Sequence, residues 1–261
     1  MKAVTAFEAG PLVTLRWLAG GVSDTGLRRA HNEDTLVLDQ TEGVVIVADG
    51  MGGRPGGEYA SALAAQVVQT YLSSSEDVEA ELSDRMAEAV ALANLEVWNA
   101  SIADPAREGM GTTITALALN PDSARWIIGH VGDSRGYLFR EGKLQRITRD
   151  HTVVQDLVES GAISAEASAD HPLSHLINRA VGTEGTVNVD VFQGDALPGD
   201  FFLLCSDGLA GLMTDDELED ALQGLTVTGL DEKAAELVAL AHERGAPDNV
   251  TVGFLAVEAV A

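Results

Sequence analysis

The chain has 261 residues, of which 46 % are hydrophobic and 5 % aromatic, a composition that supports a substantial aliphatic core and argues against disorder. Its 16 basic and 41 acidic side chains give a net charge of −25 at pH 7, so we expect no nucleic acid and no anionic membrane among its partners. The single cysteine, Cys205, excludes a disulfide framework and a cysteine-based zinc site. Because no apolar run reaches the roughly 18 residues of a membrane span and no signal peptide is recognisable, we expect a soluble, cytoplasmic protein.

The first half of the chain changes from strands to helices. Residues 1–14 are interpreted as a short N-terminal lead, and residues 15–261 as one domain, because no linker or low-complexity segment divides them. Three segments have the β-branched content of strands: "LVTLRWLAGGVSD", "DTLVLD" and "GVVIVAD". The apolar period then becomes helical and predicts two amphipathic helices, from about Gly57 to Leu72 and from about Asp77 to Ser101.

The second half returns to strands. Short turns separate four segments that predict an antiparallel meander: "GTTITALALN", "ARWIIGHVGD", "SRGYLFREG" and "KLQRIT". Residues near 150–183 look helical and irregular. Strands are then predicted at "VNVDVFQGD", "DFFLLCSDG" and "NVTVGFLAVE", and helices at "TDDELEDAL" and "DEKAAELVALAHERG". Blocks of strands flanked by helices favour an α+β fold built in layers over a regular βαβ alternation.

Four aspartates stand at the ends of apolar strands, namely Asp49, Asp133, Asp207 and Asp248. Each of them alone is readily explained as a turn former. Four acids delivered by core strands are harder to explain in this way, since an uncompensated carboxylate beside an apolar core is costly. Mg²⁺ and Mn²⁺ prefer oxygen ligands and would compensate such a cluster, and Gly50, directly after Asp49, would let a backbone carbonyl approach an ion.

Seven segments occur in a characteristic order: "SDTGLRRAHNED", "VVIVADGMGG", "GMGTT", "GHVGDSRGYL", "RDHT", "CSDGL" and "GAPDNVTV". In order and rough spacing they resemble the motifs of the metal-dependent protein phosphatases of type 2C, the PPM family, in its compact bacterial form. The resemblance extends from about Leu15 to Val257. It implies a four-layer αββα sandwich, in which helices flank two antiparallel sheets and a metal centre lies at one end. It also implies hydrolysis of phosphoserine and phosphothreonine on proteins by a metal-activated water.

The same resemblance implies a set of metal ligands. Asp49 matches an acid that bridges two ions, Mn²⁺ or Mg²⁺, and Gly50 matches the residue that offers its carbonyl to one of them. Asp207 and Asp248 match the remaining ligands of the second ion. Asp133 matches an acid that, in bacterial relatives, helps to hold a third and weaker ion. Two ions about 3.5 to 4 Å apart can lower the pKa of a shared water and hold it in line with the leaving oxygen.

Three further residues match positions beside the ions. Glu33 and Asp34 correspond to outer-sphere carboxylates that hold metal-bound water. Arg29 corresponds to the arginine that grips the substrate phosphate, and a guanidinium offers bidentate hydrogen bonds that lysine would not reproduce. The implied partners are phosphorylated proteins and a serine/threonine kinase whose signalling the reaction would reverse, and we expect the protein to be a monomer.

The general acid that would protonate the leaving oxygen is left open. Many bacterial relatives have a histidine after "DGMGG" and others have one directly after "DG", whereas Arg54 and Met51 occupy those places here. His31, His151 and water on a third ion are the candidates. Arg54 is interpreted as a solvated loop residue, with a second phosphate contact as the alternative. The segment at about 150–183 matches the flap of bacterial relatives, either as a passive excursion or as a mobile gate that selects substrates.

Two other kinds of function fit the same motifs. One is a pseudophosphatase that binds phosphoproteins without hydrolysis, and the intact set of Arg29, Asp49, Asp207 and Asp248 argues against it. The other is a metal-dependent hydrolase of small phosphoesters. Activity on phosphorylated peptides distinguishes these functions from that of a protein phosphatase.

Overall fold

The secondary structure comes from a computed structural model that describes residues 15–51, 56–74, 81–120, 123–164, 167, 171–173 and 176–260. The strands are β1 (Leu15–Asp24), β2 (Asp34–Asp39), β3 (Val44–Asp49), β4 (Ile114–Asn120), β5 (Arg125–Val131), β6 (Arg135–Arg140), β7 (Lys143–Arg146), β8 (Asp190–Asp195), β9 (Phe201–Cys205) and β10 (Val250–Ala259). The helices are α1 (Gly57–Ser73), α2 (Leu82–Ala103), α3 (Val153–Glu159), α4 (Asp207–Ala210), α5 (Asp215–Ala221) and α6 (Leu230–Glu243). The predicted lead and the predicted start of the second helix at Asp77 lie outside the described residues.

The strands form two antiparallel sheets of five strands each. The first sheet has the order β1-β10-β9-β6-β7, and the second has the order β2-β3-β4-β5-β8. Side chains on β3 show how the sheets are covered, because they alternate between two cores. Ile46 packs in a core shared with α1 and α2, whereas Val47 packs in a core shared with the first sheet. The other face of the first sheet is covered by α4, α5 and α6, so the predicted αββα sandwich is confirmed.

The predicted meander is wrong at its centre. The hairpins β4-β5 and β6-β7 form as expected, but β5 and β6 belong to different sheets. The chain crosses from one sheet to the other through residues 132–134. Gly132 has a φ of 112°, and a Cβ there would lie 2.5 Å from the Thr113 side chain, so the crossing requires glycine. A turn signal in the sequence does not tell a hairpin from a change of sheet.

The segment predicted as irregular contains α3 and several unpaired stretches among its described residues. Thr152 and Ile177, near its two ends, pair with each other in an isolated bridge, and Val181 pairs with Thr112, just before β4, in a second one. Elsewhere the predicted helices at 57–72, "TDDELEDAL" and "DEKAAELVALAHERG" are confirmed within a few residues. Within the part of the chain that the structure describes, none of the helices combines the length and apolar character that a membrane span requires.

Candidate active site

Five aspartates from both sheets meet at one end of the sandwich. In an antiparallel sheet the start of one strand lies beside the end of the next, and Asp34 at the start of β2 pairs in register with Asp49 at the end of β3. Asp207 begins α4 two residues after the end of β9, Asp248 precedes β10, and Asp133 lies in the crossing between the sheets. The pKa of the Asp49 carboxyl is raised well above its usual value by burial and by the negative charges of the other four acids. The cluster therefore brings together carboxyl groups whose charged forms repel one another.

Two of these carboxylates are buried with one oxygen unpartnered. Burial and the charges of Asp207 and Asp248, opposed by hydrogen bonds from Thr251 and Ser206, raise the pKa of Asp34 to about 6. Burial and the charge of Asp207 raise the pKa of Asp133 to about 8. Oδ1 of Asp34 and Oδ1 of Asp133 have no hydrogen-bond partner among the described residues. A buried carboxylate oxygen without a partner is costly unless a cation approaches it.

The acids fit a hard divalent cation by their chemistry, since all of them offer oxygen and a cation would offset the repulsion among their charged forms. Within the described residues, no three His, Cys, Asp or Glu side chains already form a closed group that could hold an ion. The unpartnered oxygens and the mutual repulsion of the acids thus indicate a site that a cation would draw together. Asp49, Asp207, Asp248 and Asp133 are the side chains available for it.

Close packing requires glycine at position 50, whether or not its carbonyl binds an ion. A Cβ at this position would lie 2.4 Å from the carbonyl oxygen of Gly57 and 2.5 Å from that of Glu33. The amide of Gly50 donates to the same Glu33 carbonyl over 3.1 Å. Any larger residue would therefore push apart the first turn of α1 and the loop before β2.

Arg29 lies on the loop that joins β1 to β2, and it faces the acids. Its Nη2 donates to Oδ2 of Asp248 over 2.7 Å. This hydrogen bond is the main cause that raises the pKa of Arg29, and the charges of Asp248, Glu33 and Asp207 add to it. Burial raises the pKa of Glu33, while the charge of Arg29 lowers it. The structure thus brings together the predicted phosphate-binding arginine, one predicted outer carboxylate and two predicted metal ligands.

Asn249 holds this loop in place and is a residue that the sequence reasoning missed. Its Nδ2 donates to the carbonyl oxygens of Thr25 and His31, both over 2.9 Å, and its Oδ1 accepts the amide of Glu33 over 2.9 Å. The side chain is buried. Asparagine next to aspartate looks like an ordinary turn in sequence, so only the folded chain reveals that it connects β10 with the loop that carries Arg29.

The hydroxyls of Thr113 and Ser134 link the backbone at Asp49 to the backbone at Asp133. The sequence did not predict this link. Thr113 Oγ1 accepts the amide of Asp49 over 3.0 Å and lies 2.7 Å from Oγ of Ser134, the residue after Asp133. All three atoms are provided by buried or half-buried residues at the sheet ends. The position of Asp49 at the end of β3 is therefore coupled to the crossing that carries Asp133.

The histidines occupy very different positions. His31 is exposed on the loop beside Glu33. His151 is 2 % exposed, and its Nδ1 accepts the amide of Gly132 over 3.0 Å. A buried imidazole that already accepts a hydrogen bond is poorly suited to donate a proton to a substrate. Of the two candidate histidines, only His31 faces solvent.

The two positions at which relatives have a histidine differ here. Met51 is half-buried, and Arg54 lies outside the described residues.

A groove of about 550 Å³ opens beside the acids. Asp133, Asp207 and Asp248 line one end of it. Val158 of α3 and Leu212, from the segment between α4 and α5, add apolar surface along its length. The described part of the flap segment thus forms a wall of the groove that leads to the acidic centre.

An antiparallel αββα sandwich with a carboxylate cluster at one end defines a class of metal-dependent hydrolase folds, and comparison with known proteins gives the family. Residues 28–241 match the family model for protein phosphatase 2C. The chain belongs to the protein phosphatase 2C family. It is 40 % identical over 242 residues to the serine/threonine protein phosphatase PstP of Mycobacterium tuberculosis, an alignment that covers 92 % of this chain and 45 % of PstP. The chain thus spans about half the length of that relative.

A shorter relative and two solved structures agree. The serine/threonine phosphatase stp of Listeria welshimeri is 36 % identical over 239 residues, which cover 88 % of this chain and 92 % of stp. The crystal structure of M. tuberculosis PstP/Ppp superposes with a TM-score of 0.83 at 38 % identity, covering 94 % of this chain and 99 % of that one. The PstP catalytic domain in complex with two manganese ions superposes with a TM-score of 0.82 at 37 % identity, covering 94 % and 100 %.

Proposed function

We propose that this chain is a metal-dependent phosphatase that hydrolyses phosphoserine and phosphothreonine on proteins. The observation that carries the proposal is the meeting of five aspartates, two of them with an unpartnered buried oxygen, next to an arginine and beside a groove. The names of the relatives, serine/threonine phosphatases, support the substrate class.

In this proposal Asp49, Asp207, Asp248 and the carbonyl of Gly50 hold two ions, and Asp133 with Asp207 contributes to a weaker third site. The ions would supply a water of lowered pKa and offset the negative charge of the phosphate. The relative solved with two manganese ions supports Mn²⁺, and Mg²⁺ is the alternative with the same ligand preference. A protein of net charge −25 attracts a phosphate only where cations reverse the local field.

The protein's own side chains then bind and orient the reactants. Arg29 binds the phosphate through its guanidinium, which the loop and Asp248 already hold at the mouth of the site. Glu33 and Asp34 accept hydrogen bonds from the attacking water and align it with the phosphorus. Burial raises the pKa values of both Asp34 and Glu33, so a nearby cation would favour the charged forms that accept these hydrogen bonds.

We further propose a cytoplasmic monomer that opposes a serine/threonine kinase. The large negative charge and the single buried cysteine support this setting. The groove that extends from the acids offers room for polypeptide beside the phosphorylated residue, which supports phosphoproteins over small phosphoesters.

The test is phosphate release from peptides that carry phosphoserine, phosphothreonine or phosphotyrosine, with Mn²⁺, with Mg²⁺ and with excess chelator. We expect turnover of the first two peptides with either metal and none with chelator. Asp49→Asn serves as the matched inactive protein, because the amide keeps the shape of the carboxylate and removes its charge. Turnover that persists in chelator would refute the metal centre, and turnover of an aryl phosphate without any of the peptides would favour a small phosphoester as substrate.

A further inference from the structure

The turn that carries Asp133 is held from one side by a single residue. His151 donates its backbone amide to the Gly132 carbonyl over 2.8 Å. The Gly132 amide in turn donates to Nδ1 of His151 over 3.0 Å. Both peptide groups of Gly132 are thus bonded to one residue, at the point where the chain crosses between the sheets with a φ of 112°. The conformation of the residue directly before Asp133 depends on this pair of hydrogen bonds.

The hydrogen bonds also fix the tautomer of the imidazole. A neutral imidazole has one protonated nitrogen, and Nδ1 accepts from Gly132, so the proton is on Nε2. Nε2 lies 3.2 Å from Oδ2 of Asp190 and donates to it. Arg179 donates from Nη1 to Oδ1 of the same carboxylate over 2.6 Å, and this nitrogen lies 2.9 Å from His151 Nε2. Asp190 therefore accepts hydrogen bonds from both His151 and Arg179. Its bond to Nε2 holds the imidazole proton there and leaves Nδ1 as an acceptor.

The surroundings keep the ring neutral and in place. His151 is 2 % exposed, and the ring of His130 lies 4.8 Å away from it, centroid to centroid. His130 is itself buried and bonded to Thr115 and to the carbonyl of Arg149. The backbone carbonyl of His151 accepts the amide of Asn178 over 2.9 Å, which joins the backbone of this residue to the far end of the flap segment.

We propose that His151 is a positioning residue that orients Asp133 toward its ion by accepting the Gly132 amide at Nδ1, with Asp190 fixing the tautomer. This inference rests on the proposed function in so far as Asp133 binds an ion. His151 does not touch substrate in this role, and its removal acts through the backbone before Asp133. The tight pair of ions at Asp49, Asp207 and Asp248 does not depend on it.

Two isosteric variants separate the two sides of the ring. In His151→Asn the amide oxygen takes the place of Nδ1, so the acceptor for Gly132 is kept and the donor to Asp190 is lost. In His151→Gln the amide reaches the place of Nε2, so the donor is kept and the acceptor is lost. The first readout needs no metal: hydrogen exchange of the Gly132 amide in chelator. The second is Mn²⁺ titration, which separates tight ions from a weak one.

We expect His151→Asn to resemble the wild type in both readouts. His151→Gln should speed exchange at Gly132 and weaken the weak Mn²⁺ site, each by roughly five- to tenfold, the loss of one net hydrogen bond. The tight ions should bind as before in both variants. Asp200→Asn is the matched control, because Asp200 is a buried acceptor for Arg140 at the other end of β6; it should change neither readout.

If both histidine variants show the same Gly132 exchange rate and the same ion affinities as the wild type, the inference is overturned. Equal losses in both would also overturn it, because they would show that the ring only fills space. A wild-type protein that binds no weak ion would refute the third site and the ion-orienting role together. A wild-type protein that binds no Mn²⁺ at all would refute the proposed function itself, and the exchange data would still decide whether His151 holds the turn.

Discussion

Arg29 and Asp248 form a 2.7 Å ion pair in which a predicted phosphate ligand binds a predicted metal ligand. Both side chains are about one-third exposed, 38 % and 34 % respectively. An exposed ion pair of this kind contributes little to folding, on the order of 0 to 1 kcal/mol. The pair is better explained as holding the guanidinium at the rim of the acidic centre. There a cation would bind Asp248 and a phosphate would bind Arg29.

Replacing Arg29 by alanine should therefore act on substrate binding. We expect KM for phosphopeptides to rise by roughly 10- to 100-fold, the effect of losing a charge-assisted hydrogen bond to phosphate. Arg29→Lys should recover only part of the loss, because an ammonium cannot bind two phosphate oxygens side by side. Steady-state kinetics and Mn²⁺ calorimetry check this. Unchanged KM together with a collapse of Mn²⁺ affinity would show that Arg29 serves the metal site instead.

Asp49→Asn should abolish turnover and also change stability in a way that depends on metal. Burial and the neighbouring acids disfavour the charged form of Asp49. Because asparagine carries no charge, the metal-free variant should be at least as stable as the wild type. Mn²⁺ should raise Tm of the wild type, by about 2.7 kcal/mol of stability at 100 times Kd, and leave the variant unchanged. Thermal unfolding with chelator and with Mn²⁺ measures both effects. Equal stabilisation by Mn²⁺ would exclude Asp49 as a ligand.

The raised pKa of Asp133 predicts how the metal-free protein responds to pH. The folded pKa of about 8 lies above the ordinary value of 3.8, so the folded state holds a proton that the unfolded state has released. Stability should therefore fall as pH rises toward 8 and level off above it. His130 and His151 have lowered pKa values and change protonation on unfolding only below about pH 6.5, so the range from 6.5 to 8 isolates the acids.

In chelator, we expect the free energy of unfolding to fall by roughly 2 kcal/mol between pH 6.5 and 8 for each proton involved. Asp133→Asn should flatten this slope, since the amide does not titrate. Asp216→Asn, which removes an exposed acid from α5, should keep it. Denaturant titrations at three pH values suffice. A wild-type slope of zero, or one that Asp133→Asn leaves intact, would contradict the assigned pKa.

The sequence allowed the acids to be predicted but not the residues that arrange them. Apolar strands and terminal aspartates are local features, so the positions of Asp49 and Asp207 follow from short segments. The change of sheet at Gly132 depends on which distant strands accept β5 and β6, and a local turn signal carries no such information. Asn249 and Thr113 act through single hydrogen bonds to loops far away in the chain, and their residue types are common in turns and strands.

Asn249 should prove important for both stability and substrate binding. Its three hydrogen bonds hold the loop that carries Arg29 and Glu33. Asn249→Ala leaves buried backbone groups without partners and should cost about 2 to 4 kcal/mol in the free energy of unfolding. KM for phosphopeptides should rise while the tight Mn²⁺ affinity stays within a few-fold. Asn99→Ala, on the exposed face of α2, is the control; similar effects of both variants would refute the role given to Asn249.

Asp133→Ala should separate the proposed third ion from the tight pair. Asp133 lies in the crossing between the sheets, and of the tight-pair ligands it shares only Asp207 in the proposed arrangement. We expect the variant to bind two Mn²⁺ in calorimetry with affinities close to those of the wild type. Loss of a tight ion would show instead that Asp133 belongs to the central pair.

The same variant tests where the proton for the leaving oxygen comes from. If water held near Asp133 is the general acid, its loss should reduce turnover of phosphoserine peptides by about 10² to 10⁴, because a serine oxygen is a basic leaving group that needs a proton. The loss on an activated aryl phosphate should be much smaller, since its leaving group departs as an anion. Equal losses on both substrates would mean that Asp133 organises the whole site. Because His151 is buried and already bonded to Gly132, that result would leave the exposed His31 as the side chain to test next, by His31→Gln on the same two substrates.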